Sequence, residues 1–100
     1  MSFGGERYPK LFSIVVVGGQ GSITMDLTGQ LSGIAVKSPS PTATYDLEIL
    51  DVDGFGIGGE VNVTGNSFLV LNGTQGWGNS SINITNATNG TYQLKVIFIS

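Results

Sequence analysis

Apolar and polar residues alternate along most of the chain, as in β-strands that bury one face. The alternation is clear over residues 22–28, 45–49 and 91–95. Glycine-containing turn sequences interrupt it repeatedly, and no stretch keeps the 3.6-residue period of an amphipathic helix with a cap. We therefore predict an all-β protein of seven to nine short strands. The expected architecture is a single β-sandwich of jelly-roll or Greek-key type, with a small β-barrel as the alternative.

Turn residues set the expected boundaries of the strands. Asn72-Gly73 favours a hairpin turn, because both residues tolerate positive φ, and Asn89-Gly90 is expected to turn into the last strand. The glycine runs at 18–21 and 54–59 are interpreted as loops or bulges, since neither has the strand-then-helix context of a phosphate-binding loop.

The chain divides into two parts on the same evidence. Residues 1–10 have neither the long apolar core nor the small-residue cleavage site of a signal peptide, and they are interpreted as an extended N-terminal arm. Residues 11–100 are predicted to form the single β-sandwich domain, since a chain of 100 residues has room for one domain.

Composition excludes several classes of function. The chain has four basic and seven acidic residues, too few cations to neutralise many phosphates, so neither a nucleic-acid partner nor an anionic membrane is expected. Without cysteine or histidine it lacks a thiolate nucleophile and the usual zinc ligands, and no metal or other cofactor is predicted. Charged residues make up only 11%, against roughly 25% in ordinary domains. Small polar residues, further copies of the chain or a partner must therefore cover its surface.

The densest group of acidic residues lies between Asp46 and Asp53. Asp51-x-Asp53-Gly54 is similar to the start of a calcium loop, but a turn in which aspartates accept from nearby amides is favoured over a weak cation site. Asp46 and Glu48 share a strand face, where solvated carboxylates are favoured over a glycosidase acid–base pair. Serine catalysis lacks a histidine. We therefore expect no enzymatic activity.

Three features indicate where a partner could bind. Phe55 and Trp77 each lie between glycines; the core is favoured for Trp77 over an interface or a sugar-stacking role, and the interface gains weight for Phe55. The last strand is apolar on both faces over 96–99, so it needs a second cover. Basic residues of the arm could meet the acidic group of another copy. The predicted partner-interface residues are Arg7, Tyr8, Lys10, Phe55, Trp77, Ile97, Phe98 and Ile99.

Asn-x-Ser/Thr sequons are more frequent than the composition suggests. Because an asparagine and a threonine two residues apart share one face of a strand, a structural role is favoured over glycosylation. The six sequons begin at Asn62, Asn72, Asn79, Asn83, Asn86 and Asn89.

Several segments together resemble a family. The run from Leu27 to Lys37, the prolines at 39 and 41, residues 44–54 and the closing 89–96 are similar to small all-β virion proteins of tailed bacteriophages, in the style of capsid decoration (cement) proteins. The resemblance implies a β-sandwich or barrel with extended arms, assembly as trimers on the shell, and no catalytic residues.

The function expected from this resemblance is structural. The protein would bind the outside of a phage capsid and stabilise it by bridging subunits of the major capsid protein, as a homotrimer made in the host cytoplasm. One alternative is an adaptor at the neck or tail of the virion. Another is a carbohydrate-binding or adhesin module, with Trp77, Tyr45 or Tyr92 stacking on a sugar.

Overall fold

The computed structural model of the protein describes the backbone of residues 7–99 and the side chains of residues 9–99. Residues 7–99 contain no helix, and hence none long and apolar enough to cross a membrane. They form eight strands, as the alternation predicts: β1 (Arg7–Val16), β2 (Gly21–Asp26), β3 (Gly29–Lys37), β4 (Thr44–Leu50), β5 (Gly56–Thr64), β6 (Ser67–Gly76), β7 (Asn79–Thr85) and β8 (Gly90–Ile99).

The strands form two four-stranded antiparallel sheets that pack face to face. Sheet I has the order β1-β8-β3-β6, and sheet II has the order β2-β7-β4-β5. Each sheet therefore pairs strands from distant parts of the chain, such as β1 with β8. Eight strands in these two orders make a jelly roll. The prediction of a β-sandwich is confirmed, and the closed barrel is not formed.

The inner faces of both sheets form one hydrophobic core of alternating aliphatic residues that also buries two tyrosines. The rings of Tyr45 and Tyr92 meet edge to face, with centroids 5.1 Å apart. The Tyr45 hydroxyl donates to the Gly65 carbonyl at 2.7 Å, and the Tyr92 hydroxyl donates to the Thr88 carbonyl at 2.7 Å. Burial raises the pKa of both phenols. The hydroxyls are thus satisfied, as buried polar groups must be.

One expectation about turns is wrong and another is confirmed in part. Asn72 and Gly73 do have positive φ, at 50° and 80°, but they lie within β6 as a bulge opposite β3 and make no hairpin. The glycine run at 54–59, interpreted as a loop or bulge, is largely strand, since β5 begins at Gly56, and its register with β4 shifts between Gly56 and Gly58, as at a bulge. Alternation could not show this, because glycines carry no side chain with which to mark a face.

The first strand begins earlier than the sequence indicates. β1 starts at Arg7, so residues 7–10 of the predicted arm pair with the end of β8. The rest of the predicted arm, residues 1–6, lies outside the described residues. The end of β8 is apolar on both faces, as predicted: Val96 and Phe98 are buried in the core, and Ile97 and Ile99 are half-buried on the outer face.

The connections between strands collect at the two ends of the sandwich. At one end, hydrogen bonds join the connections to one another, for example from the Ala87 amide to the Gly19 carbonyl at 3.0 Å and from the Ser38 amide to Asn66 Oδ1 at 3.0 Å. The opposite end holds residues 27–28, 51–55 and 77–78, together with the start of β1 and the end of β8.

Candidate interaction surfaces

The outer face of sheet I is largely apolar. The register aligns Leu11, Lys95, Ala35 and Phe68 across β1, β8, β3 and β6. The next row is Pro9, Ile97, Gly33 and Val70. Leu11 is 69% exposed and Val70 58% exposed. We call these two rows the apolar face.

A glycine allows a ring to lie flat on this apolar face. A Cβ on Gly33 would come 2.4 Å from Phe68 Cζ and 2.6 Å from the Leu69 carbonyl oxygen. Gly33 is therefore buried on its outer side by the Phe68 ring, which is itself 47% exposed. The ring spans the two rows and joins their apolar side chains into one patch.

The outer face of sheet II is polar. One row across it is Ser22, Asn83, Glu48 and Gly59, on β2, β7, β4 and β5. Small polar and acidic side chains follow the same pattern along β2 and β7. Serine, threonine and asparagine thus cover part of the surface that charged residues would otherwise cover, as the composition indicates.

Charge is segregated between the two sheets. All four basic residues of the sequence lie in strands of sheet I, and six of the seven acidic residues lie in sheet II or in its β4–β5 connection. The remaining acidic residue, Glu6, lies outside the described residues. The basic residues are Arg7, Lys10, Lys37 and Lys95; the acidic residues are Asp26, Asp46, Glu48, Asp51, Asp53 and Glu60.

A shallow groove of about 650 Å³ runs along β4 and β5 on sheet II. Glycines of β5 keep it open, and a Cβ on Gly56 would meet no atom within 4 Å. Carboxylates and one 69% exposed valine, Val61, border it. We call it the acidic groove; the lining residues used below are Asp46, Glu48, Gly56, Glu60 and Val61.

Asp46 has a structural role within the acidic groove. Its Oδ1 accepts from the Asn62 amide at 2.8 Å, and its Oδ2 accepts from Asn86 Nδ2 at 2.8 Å. Both asparagines have positive φ, at 56° and 47°. These hydrogen bonds hold the pKa of Asp46 below its ordinary value. The Glu48 side chain, two residues further on, is exposed.

Three large apolar side chains project into solvent from the loops at one end of the sandwich. Val52, Phe55 and Trp77 are 57%, 71% and 61% exposed, and we call them the apolar tip. A Cβ on Gly78 would lie 3.9 Å from Val52 Cβ, so the two loops are neighbours. The expectation that Trp77 belongs to the core is wrong, because the β6–β7 connection turns outward at Gly78, whose φ is 58°.

The loops that carry the apolar tip are held by hydrogen bonds. Asp51 Oδ1 accepts from the amides of Asp53 and Phe55, both at 2.9 Å. The Gly78 amide donates to Thr28 Oγ1 at 2.8 Å. The predicted turn at Asp51 is thus formed, and its aspartate oxygen is engaged with backbone amides. Within the described residues, no three acidic side chains converge on a candidate cation site.

The predicted interface residues are dispersed over the structure. Phe55 and Trp77 lie in the apolar tip, and Ile97 lies in the apolar face. Phe98 was predicted at an interface but is 2% exposed in the core, because it alternates inward on β8. Lys10 Nζ donates to the Asp26 carbonyl at 3.2 Å and lies 5.9 Å from the centroid of the Phe98 ring. The side chains of Arg7 and Tyr8 lie outside the described ones.

Several sequon asparagines have structural roles, as favoured from the sequence. Asn62, Asn72 and Asn86 all adopt positive φ, a conformation that asparagine tolerates better than most residues. Asn89 Oδ1 accepts from the Gly19 amide at 3.0 Å. Asn83 and Thr85 share the outer face of β7. Local geometry therefore accounts for many of these asparagines.

Sequence reasoning missed the apolar residues of β6 and the separation of charge. Phe68 and Val70 lie on a short alternating segment, and alternation does not say which set faces outward. The separation of charge depends on which strands share a sheet, and the pairing of β8 with β1 and β3 is not visible in any local pattern.

The comparisons with known proteins give only distant likenesses in structure. No family model matches the chain, and no curated protein sequence matches it. A carbohydrate-binding module solved with calcium and xylotriose is 14% identical, with a TM-score of 0.41, over 98% of this chain and 92% of the module. A structure of infectious bursal disease virus is 12% identical, with a TM-score of 0.34, over 94% of this chain and 32% of the viral chain. Neither likeness assigns a function.

Proposed function

We propose that the protein is a non-enzymatic structural subunit of a bacteriophage virion, a decoration protein that binds the outside of the capsid as a homo-oligomer. The observation that carries this proposal is the apolar tip. Val52, Phe55 and Trp77 are each more than half exposed, and exposed aromatic anchors of this kind provide much of the binding energy in protein interfaces. The resemblance in sequence supplies the class of partner, a capsid shell.

The apolar tip suits docking because its side chains are presented on ordered loops. The Asp51 turn and the Thr28 contact fix the backbone on both sides of the tip, so little ordering is needed when a partner binds. Two aromatic side chains and a valine exposed on neighbouring loops are more than an isolated exposed residue. The tip would therefore serve as a preformed anchor for contact with a shell subunit.

The rest of the described surface fits a structural role better than catalysis. The acidic groove is open to solvent, and two residues lock Asp46 as a carboxylate acceptor. A general acid needs the opposite, an environment that raises the pKa of its carboxyl group. A decoration protein needs only a stable scaffold and contact surfaces, and the jelly roll supplies both.

Binding to phage particles assembled without the protein tests this function. We expect the protein to co-sediment with such particles, to add density to their surface in negative-stain images, and to raise the temperature at which they release their genome. Particles without added density and with unchanged stability would overturn the proposal.

Variants of the apolar tip test the docking site separately. Trp77→Ser and Phe55→Ser should fold normally, since both side chains are exposed, and should lose co-sedimentation. Val15→Ser is the matched control, because Val15 is 63% exposed on β1, away from the tip. Co-sedimentation of both tip variants at the wild-type level would show that the shell is bound elsewhere.

One observation also favours a carbohydrate-binding module: the exposed indole of Trp77 is a surface on which a sugar ring can stack. Trp77 is the single tryptophan of the chain, so its fluorescence reports this site alone. A saturable change in emission on titration with soluble oligosaccharides would support this second function. Unchanged emission across a panel of glycans would remove it.

A further inference from the structure

We infer that the apolar face of one copy docks into the acidic groove of a second copy, head to tail. The inference deepens the homo-oligomer of the proposed function by naming the two surfaces that meet. Its evidence is the separation of charge between the sheets and the shapes of the two outer faces.

The apolar face carries positive charge among its apolar side chains. Lys95 lies between Leu11 and Ala35 in the first row, and Lys37 lies two residues along β3 from Ala35. The described outward residues of sheet I include no carboxylate. A partner must therefore cover an apolar surface and bring acidic groups to the lysines.

The acidic groove meets both requirements. Glu48 and Glu60 border it, and Val61 and the glycines of β5 give it an apolar part of its lining. Because its hydrogen bonds engage Asp46, the two glutamates are the carboxylates best placed for lysines of another copy. Val70 is more than half exposed, and the acidic groove has room for it because Gly56 and Gly59 carry no side chains.

A two-fold contact between two apolar faces fits less well. It would bring Lys37 and Lys95 of both copies into one interface with no counter-charge from the described residues of that face. Like charges brought together in an interface repel each other and oppose association. A head-to-tail contact pairs opposite charges and can repeat, so it closes into a ring or extends as a filament.

The available area fits a reversible association. The two rows of the apolar face cover four strands about 4.8 Å apart and about four residues of roughly 3.3 Å each, which gives roughly 250 Å² per copy. The total of roughly 500 Å² is below the roughly 1,200 Å² of stable specific interfaces, so the contact is a weak one. The assembly should therefore depend on concentration, and rising salt should weaken it because charge pairs hold it.

Charge-reversal variants test the contact through sedimentation of the purified protein. Lys95→Glu alone and Glu48→Lys alone each place like charges across the proposed contact, so each should weaken self-association roughly tenfold or more. In an equimolar mixture, the glutamate introduced at position 95 of one variant can face the lysine introduced at position 48 of the other. The unchanged Lys95 and Glu48 can pair at the other junction between the two variants. We expect mixed pairs or larger species in the mixture that neither variant forms alone.

The matched control is Asp53→Lys, which makes the same change in net charge in the β4–β5 connection, outside the acidic groove, and should associate like the wild type. Two results would overturn the inference: a wild-type protein that stays monomeric at every concentration, or an association that Glu48→Lys leaves unchanged. Apolar-tip variants should lose binding to particles and keep self-association. Failure of this contact is thereby separated from failure of the proposed capsid function.

Discussion

The outer faces of the two sheets differ although both belong to one sandwich with one core. Sheet I presents Leu11, Phe68 and Val70 to solvent, whereas sheet II presents mainly serine, threonine, asparagine and carboxylates. Both inner faces are equally apolar, so folding does not require this difference. Large exposed apolar patches on soluble proteins mark interaction sites. The apolar outer face of sheet I is therefore a candidate surface for contact with another molecule.

Alanine substitutions at two glycines, one on each sheet, should give the largest difference in stability between the two faces. In Gly33→Ala the new methyl group would meet the Phe68 ring and the Leu69 carbonyl oxygen, so we expect a loss of roughly 1–3 kcal/mol. Gly56→Ala enters open space on sheet II and should leave stability unchanged or raise it by up to about 1 kcal/mol. Urea unfolding of both variants measures the difference. Equal midpoints would show that the ring does not cover Gly33.

Acid should destabilise the protein through Asp46, a carboxylate of sheet II. The pKa of Asp46 is lowered from 3.8 by its hydrogen bonds to Asn62 and Asn86, so its stabilisation is present above pH 3.8 and is lost as the pH falls through the lower folded value. Asp46→Asn should be less stable at neutral pH and should lose less stability on acidification. Thermal unfolding across this range provides the measurement.

Glu48→Gln is the control for that prediction, since the Glu48 carboxylate makes no side-chain hydrogen bond within the described residues and faces outward on the same strand. Its acid profile should follow the wild type. A similar flattening in both variants would trace the effect to net charge and not to the hydrogen bonds of Asp46.

The smallest effect is expected on the apolar face itself. Val70→Thr keeps the shape of a 58% exposed side chain and should change the free energy of unfolding by less than about 0.5 kcal/mol. It should still lower the binding of an apolar dye to the native protein. The reverse change, Ser81→Val on sheet II, should raise dye binding. If neither substitution changes dye binding, the two outer faces do not differ in their affinity for an apolar ligand.

The sequence predicts the fold better than the surfaces. Alternation marks the buried set on most strands, because each apolar position has to reach a core, and it predicts seven to nine strands where the structure has eight. The contacts between strands distant in sequence are different: Phe68 over Gly33, and Lys95 beside Leu11, require the register of β3 with β6 and of β1 with β8. The exposure of Trp77 cannot be predicted from the sequence for a similar reason. A single aromatic residue between two glycines has no alternating neighbours to show which way it faces.

The pairing of Arg7 with Ile99 makes the described chain almost a closed loop. Both of its ends emerge on the side that carries the apolar tip. A short covalent link between them would shrink the ensemble of unfolded conformations while asking little distortion of the fold. Conversely, a bulky module attached at either position would lie beside the apolar tip. Such a fusion should therefore obstruct the binding of a partner to the tip.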